Sequence, residues 1–201
     1  PGNAHDSNGA AEFIADVVAT ARQHCPRARL ESRLDGAHFS ERTCRDLDAA
    51  RVEFTISVPF ERFPTLKAAI ESRSRWHHIE GPWAHFELGW KPKSWDRRFR
   101  VLVFRQLEKR PRRGPLQLDL FQPITWQYSY KTVVTNKAGL AGTVLSFHNG
   151  RGSQENIPGE LKSIQQIDYI PTRRLVGNQI YMMSAILGHN LSRELQMSVR
   201  E

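Results

Sequence analysis

The spacing of the apolar residues changes along this chain, and that change constrains the fold more than any other feature. After Asp6-Ser7, Ala10, Phe13, Ile14, Val17, Val18 and Ala21 recur at helical intervals until Pro26 interrupts them. Leu30, Ser32 and Leu34 then alternate with Arg29, Glu31 and Arg33, which predicts a short strand stopping at Asp35-Gly36. Ser40 can cap a second helix reaching to about Ala50, and Val52, Phe54, Ile56 and Val58 alternate as a second strand that Pro59 closes. From about Trp76 the pattern is different. Trp76, Trp83, Trp90, Trp95 and Trp126 fall within the next sixty or so residues, together with two stretches rich in aromatic and β-branched residues, 99–104 and 124–134. Helical spacing returns after Asn136 and continues through Ile180, Met183, Ile186, Leu187 and Leu191. The expected layout is therefore an α/β core, a β-rich segment over 76–137, and closing helices.

Charge adds a functional constraint. Between Lys91 and Arg113 ten basic residues face only Asp96 and Glu108, so this window carries the whole formal charge of +8 and the rest of the chain is balanced. Within it, Lys109-Arg-Pro-Arg-Arg-Gly-Pro115 mixes cations with two prolines and a glycine, the composition of an exposed loop or hairpin tip. A concentrated basic segment suits a polyanion such as DNA, because each phosphate neutralised releases counterions, and a solvated basic loop fits the same pattern. Trp90 and Trp95, embedded in this run, are the best candidates for stacking an unpaired base, although tryptophans in β segments more often pack cores.

The remaining composition excludes several classes. No apolar run approaches the ~20 residues of a membrane span. The segment after Pro1 lacks the layout of a signal peptide. Cys25 and Cys44 form no C-x-x-C pair, which argues against a zinc cage or disulfide framework and for a reducing, cytoplasmic setting. His77, His78 and His85 have no acidic or cysteine companions at ligand spacing, so they are expected to be ordinary surface or core histidines. The Tyr181-Met182-Met183 stretch is expected on the buried side of the last helix.

The segment that carries chemistry is 147–162. Arg151, Glu155 and Lys162 are spaced by four and seven residues, so a continuous helix would bring them within roughly 40° on one face, with Arg151 and Lys162 on the order of 16 Å apart. One carboxylate would lie between two cations along a span that fits several phosphates of a strand. A surface helix with i,i+4 ion pairs has the same spacing, and Pro158-Gly159 can kink the axis between Glu155 and Lys162.

This segment, His148-x2-Arg151-x3-Glu155-x6-Lys162, resembles the Tyr-x2-Arg-x3-Glu-x6-Lys signature of the insertion-sequence transposases of the DDE class, with His148 where the family has Tyr. Gln154-Glu-Asn156 followed by Glu160-Leu-Lys162, and the run from Pro171 to Leu191, are similar to one branch of that family, and the resemblance extends over nearly the whole chain. It implies a ribonuclease H-like core with a β-strand insertion between the second and third catalytic carboxylates. Asp35, at the end of the first strand, would be the second carboxylate, and Glu155 the third. Both would bind metal, Mg²⁺ or Mn²⁺. His148, Arg151 and Lys162 would touch the DNA end, and Arg110, Arg112 and Arg113 on the basic loop would bind DNA further out. No residue before Asp35 fits the first carboxylate, so the core is expected to be incomplete at its N-terminus and the chain inactive on its own. The corresponding segments are 1–75 (core, first part), 76–137 (insertion) and 138–201 (core, C-terminal helices). The implied partners are double-stranded DNA, namely transposon terminal inverted repeats and target DNA, and a second copy in a DNA-bound homodimer. The implied setting is the bacterial cytoplasm and nucleoid. A catalytically lapsed DNA-binding or assembly module derived from such an enzyme is the competing reading.

Overall fold

A computed structural model describes residues 9–107, 128–150 and 156–199. Two compact units divide the chain, Pro1–His148 and Asn149–Glu201.

The first unit opens with helix α1 (Ala10–His24), strand β1 (Glu31–Leu34), helix α2 (Glu41–Ala49) and strand β2 (Glu53–Ser57), the alternation that the apolar spacing predicts. Ser40 caps α2 as expected, its Oγ accepting the Thr43 N–H at 3.1 Å. Helix α3 (Pro64–Glu71) follows, with Pro64 in its first turn, where proline's missing N–H costs nothing. Strands β3 (His77–His78), β4 (Trp83–Leu88), β5 (Arg100–Leu107) and β6 (Tyr128–Thr135) come next, and helix α4 (Ala141–Asn149) ends the unit.

All six strands form one sheet in the order β1-β2-β6-β5-β4-β3. β1 and β2 are parallel and every other neighbouring pair is antiparallel. The β-rich stretch is thus continuous with the α/β part, because β6 pairs with β2, Thr55 opposite Thr135. This mixed sheet with helices is compatible with a ribonuclease H-like fold.

Each sheet face is covered differently. Phe54, Ile56, Val101, Val103 and Val134 pack with Cys44 and Leu47 of α2 and Leu66 and Ile70 of α3. Burial pushes the Cys44 thiol up to about 12, while Cys25 is exposed. Trp95 lies in this core, its ring 4.8 Å from Phe39, and Trp90 stands edge-on to Phe63 at 5.1 Å. Both candidate stacking tryptophans are therefore occupied by packing, and Trp126 lies outside the described residues. On the opposite face Leu102, Phe104 and Val133 meet Ala141, Val144 and Leu145 of α4. A Cβ at Gly142 would stand 2.8 Å from Ile79 Cγ2, so the close seating of α4 requires glycine there.

Polar groups lock the start of the parallel pair. Lys137, only 8% exposed, bonds Glu31 and, at 2.5 Å, Glu53. Asn136 accepts the Phe54 N–H at 2.9 Å and donates to Asp48 at 2.9 Å and to the Val52 carbonyl at 3.0 Å. The hydrogen bond from Lys137 holds the Glu53 carboxyl below the usual carboxylate range, and that from Asn136 does the same for Asp48. A depressed folded pKa contributes stability that is complete above the unfolded value and is lost as pH falls through the folded one. The melting temperature is accordingly expected to drop as pH goes below ~4, the unfolded carboxylate range. Lys137→Met should flatten that acid limb; parallel melting curves for the two proteins would show that these pairs contribute nothing to it.

In the second unit, helix α5 (Asn156–Ser163) is joined to helix α6 (Leu175–Ser198) through Arg193 and Glu160, 3.1 Å apart, and through the Tyr181 hydroxyl, which donates to the Gln165 carbonyl at 3.2 Å. The expectation of a buried Tyr181-Met182-Met183 stretch is corrected: Met183 is 67% exposed and Ala185 and His189 are the buried residues of α6. No helix of the described residues is long and apolar enough to cross a membrane.

Candidate active site

Two parallel strands leave their carboxyl ends at the same edge of the sheet, the place where open α/β folds collect their functional groups. Asp35 stands there, directly after β1. Its Oδ1 accepts the Ala37 N–H at 3.0 Å, capping a short 3-10 turn at 36–38, and lies 3.9 Å from His38 Nε2. Half of the side chain, 47%, remains exposed. The strand end inferred from alternation is therefore where the carboxylate sits, anchored on one oxygen by the backbone and open to solvent.

Ser57 occupies the corresponding place on β2, since Leu34 pairs with Ile56 and Asp35 and Ser57 are the next residues. The C-terminal end of α4 is fastened over it. His148 Nε2 and the Ser57 hydroxyl are 2.9 Å apart, and His148 Nδ1 and the Thr55 hydroxyl 3.0 Å. Arg33, on β1, donates to the Phe147 carbonyl at 3.4 Å and lies 4.7 Å from the Phe147 ring centroid, with the Lys137 ammonium 4.1 Å from the same ring. A cation on the carbonyls of a last helical turn also suits the helix dipole. The phosphate contact expected of His148 does not fit this position. The residue is 3% exposed and both ring nitrogens face β2 hydroxyls, so it braces α4 against β2.

The other expected site residues fall differently. Lys162 is on α5 in the second unit. Arg151 and Glu155, and Arg110, Arg112 and Arg113 of the basic loop, lie outside the described residues. His77 and His85 face each other across β3 and β4 with ring centroids 5.7 Å apart, and His85 Nδ1 is 3.2 Å from the His77 carbonyl oxygen. Among the described residues no three His, Cys, Asp or Glu side chains are grouped to hold a metal ion. A two-metal site of the implied kind uses three carboxylates.

Sequence reasoning missed Thr55 and Ser57. They lie on the polar side of β2, which alternation assigns to solvent, yet Thr55 is 0% exposed because α4 covers it.

With this geometry in view, the chain belongs to the transposase DDE domain family, group 1, whose model matches residues 1–201. No curated protein and no solved structure matches it.

Proposed function

We propose that this chain is the catalytic domain of a DNA transposase that cuts and joins strands at insertion-sequence ends, with Asp35 and Glu155 as two of its three metal-binding carboxylates. The supporting observation is the fastening of α4: its last turn, at His148, sits on Ser57, the β2 neighbour of Asp35. Glu155 follows His148 by seven positions in the chain. Divalent ions, Mg²⁺ or Mn²⁺, held between the carboxylates would activate a water or 3′-hydroxyl and stabilise the leaving oxygen of the phosphodiester.

The chain's own groups have separate tasks in this proposal. Asp35 presents its half-exposed carboxylate at the end of β1. Arg151 and Lys162 hold phosphates of the DNA end, neutralising charge as the bond changes. Arg110, Arg112 and Arg113 bind the duplex further out, and His148 fixes the approach of the segment that carries Arg151 and Glu155. The strands β3–β6 are the insertion between the second and third carboxylates, rooted on the core where β6 pairs with β2. Among the described residues β1 has only β2 as a neighbour, so its other edge is open. A homodimer on terminal inverted repeats completes the working assembly.

The test is to load the protein with Fe²⁺ in place of Mg²⁺ and add peroxide and ascorbate, so that radicals cut the backbone beside the bound metal. Cuts are expected close to residue 35 and close to residue 155 in the same sample. Cutting at only one of the two places, or at neither, would remove the shared site.

A further inference from the structure

A cavity of about 840 Å³ opens at the carboxyl ends of β1 and β2, on the turn that Asp35 caps. Its walls include Gly36, Ala37 and His38 of that turn, the first residues of α1, Arg42 of α2, and Pro59 and Arg62 after β2. The charges in it are unequal. Arg42 is already paired, with Glu12 at 2.8 Å and Asp46 at 3.6 Å. Arg62 is exposed, on the 3-10 turn 60–62, and its guanidinium has no ion pair among the described residues. His38 links the cavity to the carboxylate, its Nε2 3.9 Å from Asp35 Oδ1 and its Nδ1 buried without a hydrogen-bond partner.

We infer that this cavity receives a single DNA strand running past Asp35, and that Arg62 is the positioning residue that grips a phosphate of that strand next to the one undergoing reaction. The identity of the strand as substrate rests on the reading of Asp35 given above; the anion grip does not. An unpaired guanidinium donates two parallel hydrogen bonds to a phosphate, which a lysine cannot reproduce. The open cavity gives the flanking sugar and base room between Arg62 and the Asp35 turn.

The experiment titrates the 201-residue chain into a short fluorescein-labelled single-stranded DNA at several salt concentrations and follows anisotropy. Arg62→Ala is expected to raise Kd by roughly tenfold, as one charge-assisted contact is lost, and to lower the salt slope by about 0.7. Arg62→Lys should keep the slope and recover part of the affinity. Arg45→Ala, on α2 outside the cavity walls, is the matched loss of one positive charge and should change Kd by less than about twofold. If Arg62→Ala and Arg45→Ala give the same Kd and slope, the inference is overturned. The two readings fail separately: Asp35→Asn that still nicks DNA removes the catalytic carboxylate and leaves the Arg62 grip standing, whereas equal Arg62 and Arg45 variants remove the grip alone.

Discussion

On the function proposed above, Asp35→Asn is expected to reduce Mg²⁺-dependent nicking by on the order of 10³ or more, since the proposed metal site would lose one of its charged donors. Glu155→Gln should do the same. The substitution at 35 separates chemistry from folding unusually well. Asn keeps a carbonyl oxygen where Oδ1 accepts the Ala37 N–H, and Asn caps as well as Asp. The 3-10 turn should therefore persist, melting should be unchanged, and DNA affinity should stay within about twofold because no phosphate contact is lost. Persistent nicking by either variant would eliminate the assignment of that residue, and lost DNA binding together with lost nicking would point to a damaged fold instead.

His148→Ala is expected to destabilise the chain by about 2–3 kcal/mol in urea unfolding, because a buried ring is lost and the hydroxyls of Thr55 and Ser57 lose their partner. Pairing it with Thr55→Val tests the cause. Once His148 is gone the valine should cost almost nothing, so the double-mutant cycle should show a coupling of about 1 kcal/mol or more. DNA affinity at concentrations of denaturant-free, folded protein should not change. Unaltered stability with a weakened, less salt-dependent DNA complex would instead return His148 to the role of a phosphate contact.

The sequence and the structure agree where one apolar stripe decides the outcome. α2 and β2 each bury one side, with Val52, Phe54, Ile56 and Val58 among the buried positions, whereas α1 and β1 only partly bury Ile14, Val18 and Leu34, and Phe13 and Val17 stay exposed. The turn at Asp35-Gly36 and the cap at Ser40 were legible for the same local reason. What was not legible depends on partners distant in the chain. α3 buries only Leu66 and Ile70, too few to register as a period. The pairing of β2 with β6 is invisible in either strand by itself, so a β-rich segment was foreseen but not its attachment to the first two strands. The burial of His148 was hidden twice: histidine at that place suggests a surface donor, and the Thr55 and Ser57 side of β2 suggests a face turned to water. A strand with three successive alternate polar positions, Glu53, Thr55 and Ser57, next to a histidine-bearing helix is the signal that could have revealed it.

The long reach of the β2–β6 pairing also has a consequence during synthesis. β2 leaves the ribosome well before its neighbour, and at ~5–20 residues per second the wait for Thr135 to emerge opposite Thr55 lasts on the order of 10 s. For that interval β1 and β2 form a two-stranded fragment with bare backbone edges, which other nascent chains can pair with. Slowing translation between residues 57 and 128 should therefore lower soluble yield, and chaperone supply should matter most in that same stretch.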